Sequence, residues 1–285
     1  MKLSVAIICK NEEAVIAKCL ESVKDADEII VCDTGSTDNT IGIASRYAYV
    51  DFGYVWKDDF ADARNYALSL CSGDWVLSID ADETLVTSIE NVKADIETAV
   101  EQGFDGMLVN MMWGPSRSHS MVRVFRADKR WVGKVHEHIA CLAMDSLTSI
   151  QFGYSPAHGL DPDRNLRILQ GIETKAPRDL FYLANEQFER GQLEAALVTY
   201  REYVKVSAWR EEKSDANLRI ARCLWQLNRG DEARDACLQS ILGNPEFKEA
   251  LLFMAELSFE KQAVTWRRFA DTATNNGVIF IRGNK

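Results

Sequence analysis

Asp80 and Asp82 stand two residues apart in Ile79-Asp80-Ala81-Asp82-Glu83, where the apolar run Trp75 to Ile79 ends. In extended backbone, residues i and i+2 project to one face. Two hard carboxylates on one face suit Mg²⁺ or Mn²⁺, and such an ion can neutralise a diphosphate leaving group. The same spacing also fits a polar strand exit that caps the next helix. Two further polar clusters follow short apolar runs: Lys10-Asn11-Glu12-Glu13 after Leu3 to Cys9, and Asp33 to Asp38 after Glu28 to Cys32. Asp33 and Asp38 are also residue types that build turns and N-caps.

The elements that hold these clusters alternate strand and helix. Leu3 to Cys9, Glu28 to Cys32, Trp75 to Ile79 and Phe104 to Met112 are apolar runs of strand length. Between them, apolar residues recur at helical spacing: Val15 to Val23, Ile41 to Tyr47, Phe60 to Cys71 and Ile89 to Val100. A βαβαβ order predicts an α/β fold with an open, mostly parallel sheet. In such sheets ligands bind beyond the carboxyl ends of the strands, at the topological switch point. All three polar clusters fall at such ends. Further strands are expected at Met121 to Phe125 and Ser149 to Phe152.

After a connector rich in Pro and Gly the grammar changes. Leu183-Ala184, Gly191, Ala196 and Tyr200 fit one tetratricopeptide unit; Ile220-Ala221, Leu224, Ala233 and Pro245 repeat it, and Met254-Ala255 opens a third. The first two units are offset by 37 residues (220 − 183) against a standard period of 34. The difference predicts a small insertion near Ser207 to Lys213. The expected division is a sheet domain over 1–155, a linker over 156–176 and an all-α tetratricopeptide-like domain over 177–285, with one further strand signal at Val278 to Ile281. Such a domain can brace its neighbour, form a homodimer or present a peptide.

The chain has 285 residues, 47% hydrophobic and 27% charged, and a formal net charge of −10. That composition excludes a chain that is mainly disordered, collagen-like or held by disulfides. The seven cysteines are odd in number and scattered among apolar neighbours, which fits free thiols in a reducing compartment. No segment approaches the ~20 apolar residues that span a bilayer. A cytoplasmic protein is expected, with a peripheral place at the inner membrane surface as the alternative.

Ile7-Ile8-Cys9-Lys10-Asn11-Glu12-Glu13, Ala26 to Asp38, Phe60, Ala63-Arg64-Asn65 and Gly73 to Glu83 together resemble family 2 glycosyltransferases of the GT-A fold. Downstream, Arg123-Val124-Phe125-Arg126, Val135-His136-Glu137-His138, Gly153-Tyr154 and Arg164-Asn165-Leu166 extend the resemblance. The subgroup it resembles carries C-terminal tetratricopeptide repeats. The resemblance implies an inverting transfer of a hexose, glucose first among them, from a UDP-sugar to a hydroxyl or thiol. It implies donor contacts at Cys9, Asn11, Asp33, Arg64, Asp80 and Ala81, with Asp33 on the uracil and Arg64 on the nucleotide. Asp80 and Asp82 would hold ribose and Mg²⁺ or Mn²⁺, with His138 as a further metal ligand. Glu137 would be the base. Arg123, Trp113 and His136 would meet the acceptor or the diphosphate. One departure stands out: Gln151 occupies the position two residues before Gly153-Tyr154 where the family commonly has His, and His158 is the nearby substitute.

Residues 114 to 138 carry Arg117, Arg123, Arg126, Lys129, Arg130 and Lys134 against Asp128 and Glu137, a local +4. This is either a solvated surface or a site for an anionic acceptor, such as a lipopolysaccharide core or DNA. Trp113 and Trp131 could stack on a sugar or a flipped base, or belong to the core. A saccharide acceptor leads; a hydroxymethylated DNA base and a peptide side chain are the alternatives. Two competing classes are a nucleotide-sensing scaffold without catalysis and a nucleotidyltransferase that would release pyrophosphate.

Overall fold

The computed structural model describes residues 1–113, 118–159 and 161–273, without the side chains of 157 and 158. Two expectations, the strand at Val278 to Ile281 and the role of the His158 side chain, lie outside the described residues, as does Arg117. The chain divides into two compact units, meeting in sequence at Arg164 and Asn165.

The first unit is built on β1 (Leu3–Cys9), β2 (Glu28–Asp33), β3 (Tyr49–Asp51), β4 (Trp75–Ser78), β5 (Thr84–Leu85), β6 (Gly106–Met112), β7 (Ser118–Arg126) and β10 (Ala143–Gln151). They form one sheet in the order β3-β2-β1-β4-β7-β6-β10-β5. A separate hairpin pairs β8 (Trp131–Val132) with β9 (His138–Ile139). The pairs β2/β3, β1/β2, β1/β4 and β6/β10 are parallel, whereas β4/β7, β6/β7 and β5/β10 are antiparallel. The mixed character comes from β7, which runs back between β4 and β6 and so separates them.

Side-chain alternation along β1 explains how both faces are covered. Leu3, Val5, Ile7 and Cys9 join a core with Ile16, Leu20, Ile89, Val92 and Ile96. These come from α1 (Ile16–Ser22) and α4 (Ile89–Glu101). Ala6 points the other way, into a cluster with Ala61 and Leu68 of α3 (Phe60–Leu70). The start of α4 is fixed by Ser88, whose hydroxyl accepts from Asn91 N at 3.3 Å. A short helix α2 (Thr40–Ala44) follows the Asp33 turn.

The stretch expected as a linker carries a helix of its own, α5 (Arg164–Gln170), with Leu166, Ile168 and Leu169 buried. The second unit then runs through α6 (Pro177–Glu189), α7 (Leu193–Val206), α8 (Arg210–Gln226), α9 (Gly230–Gly243), α10 (Lys248–Glu256) and α11 (Glu260–Thr272). Each helix packs against its neighbours in sequence, as stacked helical hairpins do. The turns within the first two pairs carry left-handed residues, Gly191 (φ 70°) and Asn228 (φ 60°). These are 37 residues apart (228 − 191), the spacing read from the Ala and Leu pattern. The extra residues lengthen the start of α8, which has 17 residues against 13 in α6. No helix among the described residues is long and apolar enough to cross a membrane.

Candidate active site

Because β1 lies between β2 and β4 and is parallel to both, their carboxyl ends share one edge of the sheet. That edge carries Asp33, Cys9 to Glu12, and Asp80. Two strand spacings put the Asp33 and Asp80 ends ~10 Å apart.

The Asp33 end is a tight turn. Asp33 Oδ1 accepts from Gly35 N at 3.0 Å and Ser36 N at 2.9 Å, and Oδ2 accepts from the Ser36 hydroxyl and from the Cys9 thiol at 3.7 Å. These are four donors for a carboxylate with about four acceptor positions. Next to it, Asn11 adopts a left-handed conformation (φ 59°). Its amide donates to Ser36 Oγ at 2.8 Å and its side chain accepts from Thr37 N at 2.7 Å, which ties the two loops together. The Cys9 thiol is pushed far up by burial and by the neighbouring Asp33. It stays protonated and acts as a donor. Glu12 is buried and accepts from the Ser155 hydroxyl, which anchors the chain after β10 to the same loop.

The Asp80 end is a network of buried charge. Arg64 Nη2 donates to Asp80 Oδ1 at 2.7 Å, and Arg64 Nε donates to Glu137 Oε1 at 2.6 Å. Arg123 Nη2 donates to Asp80 Oδ2 at 3.1 Å and to Glu83 Oε1 at 3.0 Å. Glu83 Oε2 accepts from Asp80 N at 2.9 Å, closing the corner. Burial pulls the Asp80 carboxyl upward, but Arg123 and Arg64 outweigh it and hold the group well below the usual carboxylate range. Glu83 goes the other way: burial pushes it up and Arg123 only partly compensates. Arg64 Nη1 and Arg123 Nε are buried without a partner.

Arg64 and Asn65 explain how Glu137 is brought there. Asp59 caps α3 by accepting from Asp62 N at 2.9 Å. One turn on, Asn65 exchanges two hydrogen bonds with the backbone of Trp131, at 3.0 and 2.9 Å. Phe60 N donates to Lys134 O at 2.8 Å. The β8–β9 hairpin is therefore bolted to α3, and Arg64 reaches Glu137 from beneath. The Arg64 guanidinium also sits 5.0 Å from the Trp131 ring centre. Trp131 is buried and edge-on to Phe125, so it belongs to the core.

His136 is left-handed (φ 54°) in the hairpin turn with Gly133 (φ 97°), and β9 begins only at His138. The turn reverses the chain at this point, which sheet alternation does not anticipate. A left-handed non-glycine residue costs on the order of 1–3 kcal/mol, here beside Glu137.

Asp80 is not a free cation ligand, since both of its oxygens hold arginines. Among the described residues no group of three or more His, Cys, Asp or Glu side chains gathers as a metal site. Gln151 donates its amide to the carbonyls of Met112 and Phe152, at 2.9 and 3.1 Å. Gly153 meets the corner directly: a Cβ there would lie 1.8 Å from the Asp82 carbonyl oxygen. Ala81 is buried between the two aspartates. A hard cation can also be held by a single carboxylate together with phosphate oxygens and water.

Part of the basic segment is paired with carboxylates. Arg123 is consumed by Asp80 and Glu83, Lys129 pairs with Asp105, and Arg126 lies 3.9 Å from Asp128. Arg130 turns back onto the carbonyls of Ala127 and Lys129. Sequence reasoning assigned no role to Asn65, Glu83, His119 or Phe152. Asn65 and Glu83 were within reach, since both sit inside the motifs quoted above.

Residues 4–137 match the family profile "Glycosyl transferase family 2". A TPR repeat-containing protein of Synechococcus elongatus is 34% identical over 154 residues, covering 53% of this chain and 37% of its own length. The lipopolysaccharide core biosynthesis glycosyltransferase LpsC of Rhizobium meliloti is 35% identical over 109 residues, covering 36% of this chain and 39% of its own. The match thus spans under two-fifths of either relative's length. Among solved structures, S. aureus TarS 1-349 in complex with UDP-GlcNAc aligns with a TM-score of 0.51 at 15% identity, covering 85% of this chain and 91% of that one. That likeness is one of fold.

Proposed function

We propose that this chain, whose first unit resembles family 2 glycosyltransferases along residues 4–137, is an inverting glycosyltransferase that moves a hexose from a UDP-sugar to an acceptor hydroxyl. The observation that carries the reading is the junction of Arg64 with Asp80 and Glu137. It joins the acidic strand exit, where a diphosphate sugar would sit, to a carboxylate suited to take the acceptor's proton. In this reading the loops of Cys9, Asn11 and Asp33 receive the nucleoside. A bond from uracil N3–H to Asp33 would replace the Cys9 thiol, the longest of its four contacts. Asp80 and Ala81 shape the donor side, and Arg64 Nη1 and Arg123 Nε are the buried donors left for anionic oxygens. His136 and His138 flank the base on the hairpin.

Asp82 would hold Mg²⁺ or Mn²⁺ together with the donor's phosphates, and such an ion supplies charge neutralisation of the departing UDP. Glu137, fixed at Oε1 by Arg64, accepts the acceptor proton as the oxygen attacks the anomeric carbon. Attack opposite the leaving group inverts the configuration. A relative named for lipopolysaccharide core biosynthesis supports a saccharide as acceptor.

A screen of UDP-sugars by UDP release tests the proposal. The wild-type protein is expected to release UDP from at least one UDP-hexose in the presence of Mg²⁺ or Mn²⁺. Asp82→Ala should lower that rate by about a hundredfold or more, the scale of a lost electrostatic contact at the leaving group, with circular dichroism unchanged. Wild-type turnover in Asp82→Ala would remove Asp82 from the site.

A further inference from the structure

Beside the carboxylate network lies an aromatic surface with no part in it. Trp113 follows β6, and His119 lies in the neighbouring strand β7, paired with Met111. Trp113 Nε1 donates to His119 Nδ1 at 3.3 Å. The two ring planes differ by 27° and their centres are 6.4 Å apart. Rings joined by an N–H···N bond at that separation meet edge to edge, as one broad tile. Phe152 backs the tile: it lies 3.9 Å from Trp113 at 23° and 5.9 Å from His119 at 17°. Trp113 is nonetheless 47% exposed. With one face on Phe152, its opposite face is the one turned to solvent. Phe152 is followed by Gly153, which packs on the Asp82 carbonyl. The tile is therefore one residue from the acidic corner.

We propose that the exposed face of Trp113, with His119 at its edge, is the acceptor subsite and takes the apolar face of a pyranose ring. The inference rests on the glycosyl-transfer reading and names the acceptor class for it. A pyranose presents C–H groups on its faces and hydroxyls on its rim, so it needs a flat apolar surface with polar groups at the margin. The tile has that composition. Because His119 Nδ1 accepts from Trp113, the ring hydrogen sits on Nε2, a donor suited to a sugar hydroxyl. Burial, helped by Arg123, holds the His119 pKa below its ordinary value, so the surface stays uncharged. A nucleobase would stack on the same face, but its phosphates would find Arg123 and Lys129 already bound to Asp80, Glu83 and Asp105.

The test uses the full chain and UDP release from UDP-hexoses. Methyl glucopyranoside and methyl galactopyranoside serve as acceptor probes, and a single-stranded oligonucleotide carrying hydroxymethylcytosine is the comparison. At least one pyranoside is expected to accelerate release. Trp113→Ala should raise its KM by about tenfold, the loss expected for one aromatic contact. Trp113→Phe should restore most of the effect, and UDP should bind Trp113→Ala as it binds the wild type by calorimetry. The subsite is overturned if neither pyranoside accelerates release, if Trp113→Ala leaves the KM unmoved, or if only the oligonucleotide accelerates. A wild-type chain that releases UDP from no UDP-hexose fails at the earlier step and removes the glycosyl-transfer reading itself.

Discussion

Arg219 in the helical unit and Arg64 in the sheet unit are both buried, and they are held in contrasting ways. Arg219 Nε donates to Asp215 Oδ2 at 2.7 Å, four residues back on the same helix, and its guanidinium also meets the Tyr200 hydroxyl of the preceding helix. That pair forms as soon as α8 forms. Arg64 reaches Asp80, 16 residues away, and Glu137, 73 residues away. Its partners come together only when the whole sheet is assembled. One of its nitrogens, Nη1, remains buried without a partner, as does Arg123 Nε. The helical unit has such atoms too, Asn165 Oδ1 and Glu212 Oε1, but both are acceptors, and the other oxygen of Glu212 accepts from Tyr203. A local pair stabilises a helix. A cluster assembled from distant segments, with donors to spare, is poorly explained by stability, because a buried ion pair seldom stabilises more than an apolar substitute would. Its unspent hydrogen-bonding capacity fits a site that awaits an anion.

Removing Arg64 should break this contrast most severely. Arg64→Met leaves Glu137 without its cation and Asp80 with Arg123 alone, and should cost about 2–3 kcal/mol of stability along with most of the transfer rate. Arg64→Lys should rescue stability in part and transfer poorly, since one ammonium cannot span two carboxylates as a planar fork does. Urea midpoints and UDP release measure the two effects. In the helical unit a smaller and separable effect is expected. The double variant Asp215→Leu/Arg219→Met should stay within about 1 kcal/mol of the wild type, or exceed it, with transfer unchanged. A loss of transfer there would show that the repeats serve the reaction directly.

The shared carboxyl edge of β1, β2 and β4 was legible in the sequence, for a physical reason. β1, β2 and β4 are buried on both faces, so they appear as continuous apolar runs whose polar ends are visible. The repeat was legible because small residues must recur where helices cross. What lay hidden depends on non-local pairing. The antiparallel β7 between β4 and β6 leaves no trace in the alternation of either neighbour. The two residues of β5 are too few to show a period. The turn that places Glu137 depends on left-handed His136, a residue type that seldom announces a turn. Glu83 carries no signal of its own in the acidic run, yet it is one of the most buried charges in the unit. The Trp113 tile needed Phe152 and His119, which come from β-strand ends far apart in the chain.

Glu137→Gln offers the most direct trial of the central claim, that the Arg64-linked carboxylates form one catalytic centre. The amide keeps the shape of the side chain and an oxygen for Arg64, yet it cannot take a proton. UDP-sugar should bind this variant with wild-type affinity by calorimetry, while transfer falls by about 10²–10⁴-fold. Transfer at the wild-type rate, with binding intact, would contradict the account.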